Sequence, residues 1–320
     1  MPESRSLPTV ALAPDSSPVQ ELPGLRRALG VGPRLLVKRD DALPFAFGGN
    51  KVRKMQLVAA DAIHQGADTL ITSGGIQSNH ARVTAAAAAK LGLGCVLVVN
   101  GAPPARPTAN ALLDALLGAE VRYVADRSER APAMDGAAAE LRRAGRRPYL
   151  IPLGASTPLG AIGFVSAWRE LCDQMPAVPD VIIHSSSSGG TQAGLVAGCV
   201  LSGEPVRIIG VSADESSAGL TTEIRRILEG LPPLLDLPSN RFASVDVEVD
   251  DRFVGAGYGV PTVESVEAIQ LLARTEALFL DPTYTAKAMA GLIARVRARE
   301  FREDQTVLFW HTGGQVGLFA

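Results

Sequence analysis

The order of strand and helix patterns is the feature that most constrains the fold. Short apolar runs with strand character alternate along the chain with longer runs rich in alanine and leucine. Such strands are typical of parallel sheets that helices cover on both faces. The predicted strands are Thr69–Thr72, Cys95–Asn100, Glu120–Val124, Tyr149–Pro152, Val181–His184, Arg207–Val211 and Thr306–Trp310. The predicted helices are Lys51–Gln65, Gln77–Leu91, Asn110–Leu117, Ala131–Ala144, Gly160–Gln174, Thr191–Leu201, Leu220–Glu229, Val263–Leu278 and Thr285–Arg299. The alternation predicts an α/β fold with open, mostly parallel, twisted sheets and flanking helices.

The length of the chain bears on the number of domains. With 320 residues, of which 47% are apolar and 20% charged, the chain is too long for one ordinary core and has a globular composition. Two domains or one large α/β unit are therefore expected. Proline-rich stretches at 103–107 and 231–238 indicate loops, but neither divides the chain cleanly.

Charge and cysteine content limit the classes of partner and site. A formal net charge of −2 gives no reason to expect nucleic acid or an anionic membrane as a partner. No segment approaches the ~20 apolar residues of a membrane span, and the first residues lack the pattern of an export signal, so we expect a cytoplasmic protein. Cys95, Cys172 and Cys199 lie far apart without a CxxC spacing and are predicted to be core residues, with no metal site.

The run Phe47–Lys54 reads FGGNKVRK and places Lys51 after two glycines at a predicted helix start. A neutral lysine amine is a nucleophile that forms imines with aldehydes. We expect Arg53 and Lys54 to favour the neutral amine by like-charge repulsion. The alternative is three solvated basic residues, although the positive end of a helix disfavours that placement.

A second polar turn, SGGIQSNH at 73–80, leads from a predicted strand into a helix. The free backbone N–H groups of such a turn suit a carboxylate or a phosphate. Ser78 or Asn79 is alternatively an ordinary helix cap. Four successive polar side chains after Gly-Gly favour a binding role.

The third motif, HSSSSGGTQAG at 184–194, also joins a strand to a helix. Small residues let the backbone N–H groups converge on a phosphate at the helix start. The motif lacks the lysine of a nucleotide P-loop, so it suits a monophosphate; the alternative is a flexible Ser/Gly loop. A phosphate loop combined with an imine-forming lysine points to pyridoxal phosphate (PLP).

Two tyrosines and one strand end complete the candidate residues. Tyr258 and Tyr284 lie in predicted turns, and each alone is weak evidence. The glycines around Tyr258 are not a dinucleotide fingerprint, which argues against a nicotinamide oxidoreductase. Thr312 follows the last strand, where ligands of parallel sheets bind, and is able to donate a hydrogen bond to a ring nitrogen. We assign no catalytic role to His311, because a structural role explains this residue equally well.

Together these motifs resemble the fold-type II PLP enzymes, and within them the group of D-cysteine desulfhydrase and 1-aminocyclopropane-1-carboxylate deaminase. The matching blocks run from about Lys38 to the C-terminus and read KRDDALPFAFGGNKVRK, SGGIQSNHAR, SSSSGGTQAGL, GYGVPT, LLARTEALFLDPTYTAKAMAGLI and FWHTGG. The pair GGNK and IQSNH in register is the most specific part of the resemblance.

The resemblance implies a role for each matching residue. Lys51 holds PLP through an imine and moves the Cα proton, and Asn79 contacts the phenolic oxygen of PLP. The implied phosphate cradle is Ser188, Gly189, Gly190 and Thr191, with help from Lys54. The implied substrate residues are Ser78, Asn79 and His80 at the carboxylate, with Tyr258 and Tyr284 beside them; Ser78, Tyr258 and Tyr284 join Lys51 as the implied catalytic residues. Thr312 faces the pyridine nitrogen.

The resemblance also implies an architecture similar to the tryptophan synthase β subunit. A small domain of residues 51–164 is expected to be inserted into a large PLP-binding domain of residues 1–50 and 165–320. A homodimer is expected on the same ground.

Two positions favour one branch of the group. The deaminases carry a glutamate at the position of Thr285 and a leucine at that of Thr312. Both departures favour a desulfhydrase-like lyase that eliminates sulfide from a small amino acid and yields pyruvate and ammonia. Deamination of the cyclopropane substrate, elimination of sulfite from cysteate, and a non-catalytic small-ligand binder remain alternatives; Lys51 argues against the last.

Overall fold

Two sheets form the frame of the protein in the computed structural model, which describes residues 7–13, 16–30 and 32–320. The larger sheet has the strand order β1-β2-β10-β7-β8-β9. Its strands are β1 (Val19–Glu21), β2 (Arg34–Arg39), β7 (Val181–Ser186), β8 (Arg207–Ser212), β9 (Glu248–Asp250) and β10 (Thr306–His311). Only β1 pairs antiparallel, at one edge.

The smaller sheet is wholly parallel, with the order β5-β4-β3-β6. Its strands are β3 (Thr69–Gly75), β4 (Gly94–Asn100), β5 (Glu120–Val124) and β6 (Pro148–Leu150). All four lie between residues 51 and 164. The domain boundaries themselves stay a prediction.

Helices cover both sheets. They are α1 (Pro23–Ala28), α2 (Asn50–His64), α3 (Asn79–Leu91), α4 (Ala109–Leu116), α5 (Arg130–Arg143), α6 (Pro158–Gln174), α7 (Gly190–Ser202), α8 (Ser217–Glu229), α9 (Val263–Glu276) and α10 (Thr285–Arg297). One apolar core contains Trp168 and Phe164 of α6, packed against α7 and the large sheet. A second core lies on the other face of that sheet, against α9 and α10. The predicted α/β class with mostly parallel sheets is confirmed.

The predicted elements are present, with several additions. Each of the nine predicted helices and seven predicted strands appears within a few residues of its expected bounds. The sequence prediction missed α1, β1, β2 and β9. Among these, β2 is a buried strand that carries Lys38, and an ion pair with Glu170 offsets the burial of its ammonium group.

Two features are absent from the described residues. No helix in this part of the chain combines the length and apolarity that a membrane crossing requires. The same residues contain no group of three or more His, Cys, Asp or Glu side chains placed to hold a metal ion.

Candidate active site

A cleft of about 570 Å³ opens where the carboxyl ends of strands from both sheets meet. Its lining includes most of the predicted residues: Lys51, Ser78, Asn79, His80, Ser188, Gly189, Thr191, Tyr258, Tyr284 and Thr312. Lys54 and Gly190 are absent from the lining but adjoin it: a Cβ added to Gly190 would lie 2.8 Å from Lys54 Nζ, which donates to the lining residue Gly154 at 3.3 Å. The structure therefore brings all the predicted site residues together.

Two glycine turns set the position of Lys51. Gly49, with φ +102°, immediately precedes α2, and Gly313, with φ +86°, follows β10. A Cβ on Gly313 would lie 2.6 Å from the Cα of Gly49, so the two turns pack backbone to backbone. The N–H of Asn50 donates to Thr312 O at 3.0 Å across this contact. Glycine is required at both positions because any side chain would separate the turns.

The Lys51 amine is shifted toward its neutral form. Burial lowers its pKa to about 8, and a hydrogen bond with Lys54 partly opposes that shift. The expected repulsion from Arg53 is wrong, because Arg53 points away from the cleft. Its guanidinium pairs with Asp40 at 2.8 Å and with Glu170 at 2.6 Å. Desolvation, not like charge, is the main cause of the shift.

Lys54 is the second buried amine of α2. Its Nζ donates to Ser156 Oγ at 2.9 Å and to Gly154 O at 3.3 Å. Ser156 Oγ in turn shares a hydrogen bond of 2.7 Å with Ser188 Oγ. Burial, followed by the charge of Lys51, lowers the pKa of Lys54 well below its usual value. An anion beside this pair would relieve both the desolvation and the repulsion of the two ammonium groups.

The loop before α7 has the donors for such an anion. The first N–H groups of α7 have no carbonyl partner within the helix, as at every helix start. Thr191 Oγ1 accepts a hydrogen bond of 3.0 Å from Asn50 Nδ2, which leaves its own proton free to donate. The buried Ser185 and Ser186 hydroxyls have no partner within the described residues. This loop therefore fits a phosphate.

Gly154 lies directly beside Lys51 in the cleft. Gly154 has φ +69°, and a Cβ there would lie 3.3 Å from Lys51 Nζ and 2.3 Å from Ser188 Oγ. The absence of a side chain lets this backbone lie directly against the lysine and Ser188, where any Cβ would clash. A buried amine with a lowered pKa, next to a loop with hydroxyl groups that lack a partner in the described chain, fits an aldehyde that carries one phosphate, as PLP does.

Ser78 and His80 approach the cleft from the start of α3. Ser78 is the N-cap of this helix, since its Oγ accepts a hydrogen bond of 3.2 Å from Ala81 N. The alternative that Ser78 is an ordinary helix cap is therefore confirmed, although the residue also lines the cleft. Thr72 Oγ1 gives its proton to Ile151 O, so His80 Nε2 must donate to that hydroxyl at 2.8 Å.

This pairing fixes the form of His80. Its Nδ1 is then an unprotonated acceptor, buried and without a partner in the described chain. Burial, with the nearby charges of Lys51 and Lys54, lowers the pKa of His80 well below its usual value, so the ring stays neutral. His80 can accept a hydrogen bond at Nδ1, but it brings no positive charge to a carboxylate.

The two predicted tyrosines form a pair. Their hydroxyl oxygens lie 2.7 Å apart, and their rings meet edge to face at 5.7 Å between centroids. Burial raises the pKa of both phenols, for Tyr284 well above its usual value, so both keep their protons. One proton links the two oxygens, and the other is free to point outward.

Thr312, Thr285 and His311 have different roles. Thr312 lines the cleft, whereas Thr285 is buried outside the lining, where its Oγ1 donates to Asp281 Oδ1 at 2.6 Å. Thr285 therefore belongs to the turn that places Tyr284. His311 is paired with Phe279 O and Gly313 N, as expected of a structural histidine.

Sequence reasoning missed several lining residues, of which Asn50, Gly154, Arg127, Arg130 and Asp214 are the most notable. Arg127 lies 3.6 Å from Asp214 across the cleft mouth and 5.1 Å from the Tyr258 ring centroid. Asn50 belongs to the motif GGNK, so the sequence did contain a signal for it. No local signal identifies the other four.

Comparisons with known proteins agree with this geometry. The sequence model of the family described as pyridoxal-phosphate dependent enzyme matches residues 10–313. The chain is 39% identical to a D-cysteine desulfhydrase of Klebsiella pneumoniae (strain 342), over 98% of this chain and 96% of the relative. A crystal structure described as an ACC deaminase homologue superposes with a TM-score of 0.90 at 36% identity, covering 98% of this chain and 94% of that one.

A more distant structure shares the fold alone. It is the processed form of threonine deaminase isoform 2 from Solanum lycopersicum, with a TM-score of 0.69 at 17% identity, covering 95% of this chain and 80% of that one. The family match overturns the nicotinamide alternative and identifies PLP as the cofactor. The chain belongs to the pyridoxal-phosphate dependent enzyme family, in its fold-type II branch.

Proposed function

We propose that the protein is a PLP-dependent carbon–sulfur lyase that converts D-cysteine and water to pyruvate, ammonia and hydrogen sulfide. The observation that carries the proposal is the presence of a base and an acid in one cleft. The Lys51 amine, with its pKa near 8, is the base, and the Tyr258–Tyr284 pair is the acid. β-Elimination requires a base for the Cα proton, and a hydrogen-bond donor at the departing thiolate assists it.

PLP, when bound, supplies an electron sink for negative charge that develops at Cα. Lys51 holds the cofactor and, once released, removes the Cα proton of the substrate. The amine is suited to this role because desolvation keeps a sizeable fraction of it neutral near pH 7 to 8. Lys54, Ser188, Gly189, Gly190 and Thr191 hold the phosphate, and Thr312 is the neutral partner of the ring nitrogen.

The substrate carboxylate is assigned to the start of α3. Ser78, Asn79 and His80 lie there, where the helix has free N–H groups and a positive end. Since His80 is neutral, backbone N–H groups and the Ser78 hydroxyl are the main donors to this carboxylate.

The tyrosine pair is assigned to the leaving group. Because Tyr258 and Tyr284 share one proton between their oxygens, the second hydroxyl proton is available to a thiolate on Cβ. We expect Tyr284→Phe to lower kcat by about a hundredfold while cofactor absorbance is retained. Tyr149→Phe is the matched control, since the Tyr149 hydroxyl bonds Asp61 away from the cleft. Equal activity of the two variants would remove the tyrosine pair from the mechanism.

Elimination of sulfite from cysteate is the second candidate. Arg127 and Arg130 both line the cleft, and the buried Nε of Arg130 has no partner within the described residues. Two guanidinium groups near the tyrosine pair suit a substrate with an anionic group on Cβ. The deaminase alternative has weaker support, because Thr312 stands where deaminases carry a leucine.

A substrate panel tests the proposal. The purified enzyme is assayed for ketoacid release from D- and L-cysteine, cysteate, β-chloroalanine and 1-aminocyclopropane-1-carboxylate, with Lys51→Ala as the inactive control. We expect the highest kcat/KM with D-cysteine and release of sulfide in equal amount to pyruvate. A higher value with cysteate selects the second candidate, and turnover by Lys51→Ala contradicts the assignment of the base.

The assembly and location belong to the same proposal. We propose a homodimer, supported by exposed apolar side chains on α4 and at the chain end, among them Leu116 and Phe319. A cytoplasmic location is supported by three cysteines that are all free thiols.

A further inference from the structure

Asn79 is held on one side by two side chains to which the sequence motifs assigned no role. Its Oδ1 accepts a hydrogen bond of 3.0 Å from Arg82 Nη1 and another of 2.9 Å from Asn110 Nδ2. Arg82 and Asn110 are also bonded to each other at 2.8 Å. We call these two residues the amide clamp. Both are almost wholly buried.

The clamp fixes which way the Asn79 amide faces. Arg82 is a donor only, and the Asn110 amide uses its NH₂ group toward Asn79, because its oxygen accepts from Arg82. The atom of Asn79 that meets them must therefore be the oxygen. The Asn79 NH₂ group points the opposite way, to within 2.9 Å of the position that a Cβ of Gly314 would occupy.

The clamp itself is firmly anchored. Arg82 Nη2 donates to Gly48 O at 3.0 Å, in the glycine turn that precedes Lys51. Asn110 is tied to Gln77 through its backbone N–H and its side chain, both at 2.9 Å. The clamp thus connects the start of α3 with the turn that places Lys51.

Arg82 also brings charge to the Asn79 amide. Burial lowers the pKa of Arg82 to about 10, and Asp114 and Asp281 counteract part of that shift, so the guanidinium stays positive at neutral pH. A cation bonded to an amide oxygen polarises the amide and strengthens its N–H groups as donors. Asn79 itself lines the cleft.

We propose that Arg82 and Asn110 are positioning residues that act through Asn79, presenting its polarised N–H group to the phenolic oxygen of bound PLP. The inference rests on the proposed role of Asn79. A strong donor at that oxygen withdraws electron density from it. The oxygen is then a weaker acceptor for the proton on the nitrogen that joins Lys51 to the cofactor. The clamp consequently favours loss of that proton at lower pH.

The test is a pH titration of the visible absorbance band of the holoenzyme. Without the clamp we expect the midpoint of this titration to rise by about one pH unit, as for the loss of one charge-assisted hydrogen bond. Arg82→Met and Asn110→Ser should both show the rise, and Arg82→Lys a smaller one, because it keeps the charge. Asn110→Ser keeps the test available if Arg82→Met does not fold.

Arg295→Met is the matched control. Arg295 is also buried, but it is paired with Asp250 and Glu300 outside the cleft. The Arg295→Met variant should lose stability without any change in the midpoint of the absorbance titration. An unchanged midpoint in folded Arg82→Met and Asn110→Ser would overturn the inference. Absence of any visible band in the unaltered enzyme would instead contradict the proposed function, so the two failures are distinguishable.

Discussion

At the scale of single residues, burial gives the site its reactivity. Lys51 and Lys54 lie on the same helix, and desolvation lowers the pKa of both. An exposed lysine would be almost fully protonated at neutral pH. Within the protein the interior itself produces the nucleophilic amine, and an anion held by the loop before α7 would stabilise the remaining positive charge.

The pH dependence of cofactor uptake follows from Lys51. Since its pKa is lowered to about 8, the amine is protonated below that pH and neutral above it. The rate at which apoenzyme captures PLP should therefore rise with pH and reach half its maximum near pH 8. Stopped-flow absorbance across pH 6 to 10 measures it. A rate that keeps rising to pH 10 would mean that the amine behaves as an exposed lysine.

Gly154 tests the fit of the cofactor ring. Gly154→Ala places a methyl group 2.3 Å from Ser188 Oγ and 3.3 Å from Lys51 Nζ, so PLP affinity should fall by roughly tenfold or more. Gly145→Ala is the matched control: it has φ +75°, similar to +69° at Gly154, but nothing within 4 Å of the added Cβ. Both variants bear the same backbone strain. Equal PLP affinities, by fluorescence titration, would remove Gly154 from the ring site.

At the scale of elements, α2 is anchored by a buried ion cluster beside the active site. Arg53 contacts Asp40, which follows β2, and Glu170 of α6. Glu170 also pairs with Lys38 of β2, and Trp310 of β10 donates to Asp40 at 2.8 Å. Burial alone would raise the pKa of Asp40, but Arg53, with hydrogen bonds from Trp310 and Ser17, outweighs it and lowers the pKa.

Removal of the Asp40 charge should destabilise the whole protein. Asp40→Asn leaves Arg53 with one anionic partner fewer, and we expect a loss of about 3–5 kcal/mol in the free energy of unfolding. Because the pKa of Asp40 is lowered by folding, its contribution is present above its unfolded pKa and is lost as pH falls through the folded value. The difference from the unaltered protein in urea unfolding should therefore shrink in acid.

Asp68→Asn is the control for this variant. Asp68 pairs with Arg146 at 3.0 Å on the surface, where a salt bridge contributes at most about 1 kcal/mol. A loss of stability in Asp40→Asn no larger than that in Asp68→Asn would show that the buried cluster does not anchor α2.

The elements and the motifs differ in how far sequence predicts them. Apolar periodicity was sufficient for all nine predicted helices, because each is long and amphipathic or buried. It failed for β1 and β9, which have three residues each, and for β2, whose Lys38 interrupts the apolar run. A buried ion pair between residues 38 and 170 is a tertiary contact that no local pattern contains.

The same limit applies to the site. Motifs at strand ends predicted the residues that meet in the cleft, since parallel strands of one sheet end at the same edge. The explanation for the Lys51 amine was wrong, because Arg53 finds its partners across the chain. Arg82 stood at the end of the quoted block SGGIQSNHAR, yet only the structure shows that it faces Asn79.

At the scale of the whole molecule, large apolar side chains are exposed around α4. Leu116 of α4 is 73% exposed, and the adjacent 3-10 turn Gln315–Phe319 ends in Phe319 at 76%. Gln315 of this turn donates from Nε2 to Phe47 O at 3.4 Å, and the Phe47 side chain is 58% exposed. Exposed apolar side chains grouped in one region are typical of subunit interfaces. Phe47 precedes Lys51 by four residues, which places this surface next to the active site.

Disruption of this surface tests the proposed homodimer. Leu116→Glu introduces a charge that would be desolvated between subunits, so we expect it to convert a dimer of the unaltered chain to monomers. Val263→Glu on α9 is the control, because Val263 is 85% exposed but lies on a different helix. Sedimentation velocity of both variants at one concentration measures the change. If Val263→Glu is monomeric and Leu116→Glu is not, the interface lies on α9 instead. Since Phe47 leads into the turn before Lys51, a Leu116→Glu monomer should also bind PLP more weakly.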